Sequence, residues 1–175
     1  LRLEKYSKRI AWRINGTTKK YGDKKSSTYF LNNTGYQEAN LALNLQKSWK
    51  EKLFLDIYTS TFNTRLGILR GSQVGNITAL NNALNAEIPD KTDSLFSYNI
   101  DAPKQEVNHH LAKLKLKYFF KENNSIIFLV AGQLNNRKEF DIRKGGRSVI
   151  PSVDLLQYTY NTCLLYTSPS PRDLR

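Results

Sequence analysis

The sequence has no methionine, one cysteine (Cys163) and two histidines (His109 and His110) among 175 residues. A single cysteine excludes a disulfide scaffold, and zinc sites of the Cys-rich kind go with it. No run approaches the roughly 18–20 uncharged apolar residues that a membrane-spanning helix needs, so a helical membrane protein is excluded. Acidic residues are scarce beside basic ones. With 15 Asp and Glu against 27 Lys and Arg, the formal net charge is +12. No Ser-His-Asp order, phosphate loop or dinucleotide fingerprint appears, so the chain is not expected to be an enzyme.

What is present favours strands. Tyr (10) and Phe (8) are frequent and Asn and Thr are common, a composition of strands and loops. The recurrent signal is period-2 alternation, the mark of half-buried strands. From Glu38 to Ser48, Leu41, Leu43 and Leu45 alternate with Asn40, Ala42, Asn44 and Gln46. On a helix those leucines would scatter around the axis, whereas on a strand they form one row. Leu53–Phe62, His109–Phe120, Ile126–Asn136 and Asp154–Thr162 alternate likewise, and near the start Ile10, Trp12 and Ile14 do the same. In the Ile126 run, Ile127 and Leu129 fall on the nominally polar face. These runs predict about six strands, longer than the ~5–6 residues usual in globular sheets.

The links between them alternate in length. Tight turns are predicted at Lys50-Glu51-Lys52 and at 121–125, and long links at 21–33, 63–108 and 138–153. That parity predicts an antiparallel up-and-down meander with short turns at one end and elaborate loops at the other, an asymmetry shared with transmembrane β-barrels. In the longest link, Ile77, Leu80, Leu84 and Ile88 recur at helical steps, predicting a short helix within 76–86. The flank 101–105 reads as an extended lead-in to the next strand.

A strand in hydrocarbon must have every backbone group paired, so only a closed barrel is tolerated. Its outer face is apolar and its lumen polar. Leu41, Leu43, Leu45, Leu53, Leu55, Ile57, Leu114, Leu116, Phe128, Val130 and Tyr158 are expected to share one face. The polar rows suit a wet lumen, and equally the solvent face of a soluble sheet. Trp12, Trp49, Phe62, Tyr118, Phe119, Phe120, Tyr158 and Tyr160 are placed to form interfacial girdles.

Three stretches resemble the barrel of TonB-dependent outer-membrane receptors: Leu66-Gly-Ile-Leu-Arg-Gly-Ser-Gln-Val-Gly-Asn76, the segment Phe96–Lys113 with its Pro-Lys-Gln and His-His pairs, and Asn135–Arg147 with Arg-Lys-Glu-Phe-Asp. The similarity covers most of residues 9–162. One departure is Ala79, where an acidic residue is expected after the Gly-Asn-x-Thr turn, and it bears on the capping of the loop helix. The resemblance implies that residues 1–162 are a fragment of a barrel of about 22 strands closed by an N-terminal plug. It implies the cell outer membrane as location, with outer-membrane lipid and lipopolysaccharide around it. It also implies uptake of a scarce ligand, such as a ferric siderophore, driven through TonB by way of an N-terminal part not seen here. No resident cofactor and no nucleic acid belong to that reading. The chain starts at Leu1 with neither an initiator Met nor a signal peptide, as an internal portion of a longer product would.

The candidate binding residues are Arg70, Arg137, Arg143 and Arg147. The last three belong to a loop cluster with Lys138 and Lys144, and guanidinium forks suit carboxylates and catecholates. Lipopolysaccharide phosphates, or simple pairing with Glu139 and Asp141, are the competing partners. Lys113, Lys115 and Lys117 form a basic row that would attract anions. His109 and His110 point to opposite sides of a strand and cannot make one metal site, so no metal site is expected. The alternative reading is a soluble basic β domain that binds nucleic acid or carbohydrate. Against nucleic acid, the basic residues are spread over most strands.

Cys163–Asp173 matches, residue for residue, the translation of a transposase adapter from short-read sequencing libraries. Residues 163–175 are therefore expected to be disordered and outside the fold, with the native strand interrupted near Thr162.

Overall fold

The computed structural model describes residues 1–69, 75–88, 92–93, 95–121, 124–142 and 148–168. Ten strands run in chain order: β1 (Arg2–Tyr6), β2 (Ile10–Tyr21), β3 (Lys24–Lys25), β4 (Phe30–Leu31), β5 (Tyr36–Trp49), β6 (Leu53–Gly67), β7 (Thr92–Asp93), β8 (Lys104–Lys121), β9 (Asn124–Phe140) and β10 (Val153–Thr167). One helix, α1 (Ile77–Asn85), lies between β6 and β7. Seven strands make one sheet in the order β1-β2-β5-β6-β8-β9-β10, every pair antiparallel. β3, β4 and β7 make a small second sheet at the loop end. The predicted meander of long strands is what forms.

The strands are longer than their apolar alternation. β8 has 18 residues and β9 has 17. β6 runs to Gly67, five residues beyond the predicted Phe62. The two later links correspondingly shrink to 68–103 and 141–152, while the first runs over 22–35. The extra residues Asn63, Arg65, Glu106, Asn108 and Lys138 put polar groups on the face that carries the leucine rows lower down, so apolar alternation fades while main-chain pairing continues. β1 was not foreseen. It is short, and a tight turn at 7–9, closed by Ser7 N donating to Ile10 O at 2.8 Å, returns it onto β2. At the β5–β6 turn, Lys50 (φ 49°) and Glu51 (φ 57°) are both left-handed, the pair of signs a two-residue type I′ hairpin needs.

The register fixes the two faces. The row Leu43–Thr59–Ala112–Gly132–Tyr160 crosses β5, β6, β8, β9 and β10, and Ile14 extends it onto β2. All eleven apolar residues expected to share a face do so, on this first face. The second face carries Arg13, Asn40, Asn44, Gln46, Asp56, Lys113, Lys115, Lys117, Gln133 and Arg137. His109 points to the second face and His110 to the first.

Exposure runs opposite to that of a soluble sheet. Along β9, Ile126 (39%), Phe128 (37%) and Val130 (37%) are exposed on the first face, while Ile127, Leu129 and Ala131 on the second are half-buried. The one buried hydrophobic residue among those described is Ile100, away from both faces of the strands' mid-section. No second layer covers the apolar face in the described residues.

The strand β10 includes Cys163–Thr167, which pair in register with Leu129–Ser125. The disorder expected from residue 163 onward is therefore replaced, for these five residues, by strand. The physical reason is local: β9 offers an unpaired row of backbone groups, and Cys-Leu-Leu-Tyr-Thr is apolar enough to lie along it. The Ser125 hydroxyl and Thr167 Oγ1 close the pair at 2.7 Å. Residues 169–175 lie outside the described residues.

Helix α1 fits its predicted bounds. The Asn76 side chain accepts from Ala79 N at 2.8 Å, a complete N-cap without an acidic residue in the first turn. The departure at Ala79 therefore leaves the helix capped.

Candidate functional site

The elaborate end of the sheet is built around Asn33. It lies in the left-handed region (φ 60°), which asparagine tolerates better than most residues, and it is buried. Its Nδ2 donates to Ile68 O at 2.9 Å and to Pro103 O at 2.8 Å, and its Oδ1 accepts from Asp101 N at 2.8 Å. One side chain thus ties the link after β2 to both ends of the link between β6 and β8. Nearby, the buried Asp23 accepts from Thr34 N at 3.0 Å, and its own N–H donates to Ser97 O at 2.8 Å.

Three glycines let these links lie against the strand ends. A Cβ at Gly22 would meet the Phe96 ring at 2.3 Å, one at Gly35 would meet Ile100 at 3.1 Å, and one at Gly67 would meet Asn33 O at 2.4 Å. Segment 96–103 therefore passes as a strap over the first face at its loop end, seated on the ends of β2, β5 and β6. Phe96 packs edge-on against Phe30 (5.6 Å) and Tyr98 (4.8 Å).

At the loop-end rim of the sheet lies a concavity of about 870 Å³ lined by Tyr21, Tyr36, Leu31, Leu66, Phe96 and Tyr98, with Lys20 and Lys24 at its border. Tyr21 and Tyr36 stack at 6.3 Å, and the Lys20 ammonium sits 5.0 Å from the centre of the Tyr98 ring. Aromatic walls with a few charged groups are the make-up of small-molecule sites. The Lys20 ammonium beside the Tyr98 ring, with Lys24 also at the border, offers positive charge to a planar ligand bearing negative charge.

The arginines chosen from sequence fare differently. Arg137 belongs to β9 and not to a loop. It lies on the second face near the loop end, half exposed, in a salt bridge with Glu139. Gln105 Nε2 also donates to Glu139, at 3.1 Å. The Arg137 guanidinium is the main reason the Glu139 carboxyl is held below the usual carboxylate range. Lys138, expected in the same cluster, points to the opposite face and pairs with Asp154 at 3.4 Å. The pairing of Arg137 with Glu139 was the competing expectation. Arg70, Arg143 and Arg147 lie outside the described residues.

Glu38, on β5 and also on the second face, gathers Tyr36, Asn40 Nδ2 (2.6 Å) and Lys19 Nζ (3.1 Å). Hydrogen bonds from Tyr36 and Lys19 hold its carboxyl below the usual range, and that same bond pushes the Tyr36 phenol up to about 12. Asn33 and the Tyr21–Tyr36–Tyr98 wall were missed from sequence. The usable signal was glycine at 22, 35 and 67, each at a strand end, with an asparagine between two of them. Among the described residues no group of three His, Cys, Asp or Glu side chains could hold a metal ion. Compared with known proteins, the chain matches no family model, no curated protein and no solved structure.

Proposed function

We propose that this chain is a wall segment of a TonB-dependent outer-membrane receptor, which takes up a scarce ligand such as a ferric siderophore through an energy-coupled barrel. It is read as a transporter and not as a catalyst. The observation that carries the reading is the inverted exposure of a single-layered sheet, with leucines, valine and aromatics on the open face and polar side chains on the shielded one.

Dimensions support it. From Leu41 to Trp49 on β5, and from Ile126 to Leu134 on β9, the apolar rows span eight steps, about 27 Å of strand at ~3.4 Å each. A tilted strand needs about that length to cross the ~25 Å apolar belt of an outer-membrane barrel. Thr59, Thr61 and His110 interrupt the belt's upper rows. At its lower edge Trp49, Tyr118 and Phe120 form an aromatic rim. Lys47 sits on the apolar face at the same edge. Its ammonium turns onto the Trp49 ring, 4.8 Å from the centroid, as a snorkelling side chain does. Seven strands cannot close the barrel, so transport belongs to the complete receptor. The tyrosine-lined concavity at the loop end is the part of this segment suited to touch the ligand.

The test is lipid contact. With Cys163 changed to serine, single cysteines at Leu43 and Val130, or at Asn44 and Ala131, are placed in the receptor in outer-membrane vesicles. A fluorophore there is exposed to brominated lipid and to a water-soluble quencher. The reading requires lipid quenching at Leu43 and Val130 and aqueous quenching at Asn44 and Ala131. Aqueous quenching at all four positions would sink it in favour of a soluble sheet.

A further inference from the structure

We propose that the first face, above its apolar rows, holds the phosphorylated sugar headgroup of an outer-leaflet glycolipid, gripped by Lys20, Arg65 and Lys104. The inference rests on the reading of this face as lipid-facing and names the lipid that its loop end selects.

The first face changes character in layers. Its uppermost row with leucines is Gly16–Leu41–Thr61–His110–Leu134–Tyr158. Two residues higher on each strand comes Thr18–Ala39–Asn63–Asn108–Asn136–Leu156, which contains no Lys, Arg, Asp or Glu. Two residues higher again, charge begins: Lys20, Arg65, Glu106, Lys138 and Asp154 share one row, and Lys104 lies in the row beyond.

The cations at this height are not all neutralised. Glu106 is shared by Lys104 Nζ (2.7 Å) and Arg65 Nε (3.2 Å), so it offsets one charge of the two. Lys138 and Asp154 satisfy each other at 3.4 Å. Lys20 forms no salt bridge with a described residue, and its ammonium rests 5.0 Å from the centre of the Tyr98 ring. Two concavities meet at Arg65 and Glu106. One, of about 470 Å³, takes in Thr18, Lys20, Asn63 and Asn108. Lys19 and Glu38 also border it, but they belong to the second face and pair with each other at 3.1 Å. The other, of about 590 Å³, takes in Lys104, Ile100, Phe140 and Val149, and Asp101 gives it a second carboxylate. The phosphate therefore belongs in the first, between Lys20 and Arg65. Their strands are separated by one other, about 10 Å between backbones, a gap that two long side chains close around a phosphate with charge-assisted hydrogen bonds.

The height of the cations decides which lipid this is. From the leucine row to Lys20 and Arg65 is four residues, about 14 Å of strand. For a strand tilted by about 45° that is roughly 10 Å along the membrane normal. The polar layer of an ordinary phospholipid leaflet is only about 5–7 Å deep. Its phosphate would fall among Thr18, Asn63 and Asn108, where no cation waits. A sugar headgroup instead sets hydroxyls against that uncharged layer and carries phosphate up to the charged row.

The experiment uses the receptor purified from outer membranes in a maltoside detergent. The probe is bisphosphorylated lipid A, titrated and counted by native mass spectrometry beside its dephosphorylated form and phosphatidylglycerol. Changing Lys20, Arg65 and Lys104 together to Gln is expected to weaken lipid A about tenfold, a factor of about two for each charge pair. The same charge removed at Lys8, Lys50 and Lys52, at the turn end, should change binding less than about twofold. Replacing Asn63 and Asn108 with Leu keeps the charges and should weaken lipid A without weakening phosphatidylglycerol. Equal loss in the two triple variants would overturn the proposal, since net charge alone would then explain binding. Phosphatidylglycerol held as tightly as lipid A would overturn it in favour of an ordinary phospholipid. Brominated-lipid quenching at Leu43 and Val130 is read on the same variants in vesicles. Intact quenching, with lipid A indifferent to the Lys20, Arg65 and Lys104 changes, overturns this inference alone. Lost quenching in the unaltered receptor overturns the lipid-facing reading and this inference with it.

Discussion

The two ends of this sheet are built on different principles. At the turn end, strands reverse in a few residues and little packs over them. At the loop end, two links are drawn together by one asparagine and three glycines. The turn end makes few contacts of its own over either face. The loop end supplies its own contacts, and the one buried hydrophobic side chain, Ile100, is found there. A chain so divided is ordered from outside at one end and from within at the other.

The largest expected effect probes the external part. Replacing Leu43 with Arg should cost about 2–4 kcal/mol of folding stability in lipid if this position lies near mid-bilayer. The neighbouring Asn44→Arg, on the opposite face, should cost far less. Equilibrium unfolding of the receptor from vesicles measures both, and equal costs would erase the distinction between the faces.

The next effect probes the internal part. Asn33→Ala leaves Asp101 N–H, Ile68 O and Pro103 O without their partner. Burying unmet groups of this kind costs about 1–3 kcal/mol. Gly67→Ala drives a Cβ toward Asn33 O, which is backbone and cannot swing away, so it should disturb the same strap. Both changes should raise proteolytic cleavage within 95–103 while leaving lipid quenching at Val130 unchanged. Cleavage at wild-type rates would show that the strap is held by something else.

This contrast also explains what was legible in the sequence. The leucine rows could be read because apolar residues kept to one face of a strand recur with a period of two. The strand extensions above them could not, because Asn63, Arg65, Glu106 and Lys138 replace apolar residues on that face and only main-chain pairing makes them strand. The tyrosine-lined concavity was invisible for another reason. Tyr21 and Tyr36 meet by strand pairing, but Tyr98 comes to that end on a strap anchored by Asn33, whose three partners lie 35 to 70 positions away in sequence. Arg137 was found as a residue but misplaced as a loop, because the run Asn-Asn-Arg-Lys-Glu lacks any apolar alternation.

A smaller effect returns to the turn end. Lys50 and Glu51 both hold φ near +50°, a region that costs a non-glycine residue about 1–2 kcal/mol. Changing the pair to Asn-Gly should relieve part of that and stabilise the β5–β6 hairpin by about 1 kcal/mol. Unfolding of the variant in denaturant checks this. A loss of stability would mean that the two side chains make contacts at this end that outweigh the strain.

The smallest effect is a pH dependence confined to the loop end. Glu38 and Tyr36 lie on the part of β5 above the apolar rows, outside the segment that would cross lipid. The folded Glu38 carboxyl has a lowered pKa, so its contribution is fully present above the ordinary carboxylate range and is lost as pH falls through the folded value. Tyr36 is raised to about 12, so its contribution is present below the ordinary tyrosine value near 10 and disappears as pH rises through about 12. The loop end should therefore loosen first at both extremes, while the apolar rows, which carry few titrating groups, hold. Hydrogen exchange at Gln37–Asn40, compared with Leu43–Leu45 at pH 3 and pH 7, reads this directly. Glu38→Gln should flatten the acid limb of the difference without altering exchange at Leu43. Acid-induced exchange spread equally along β5 would mean that the strand opens as one unit and that the two ends are not independent.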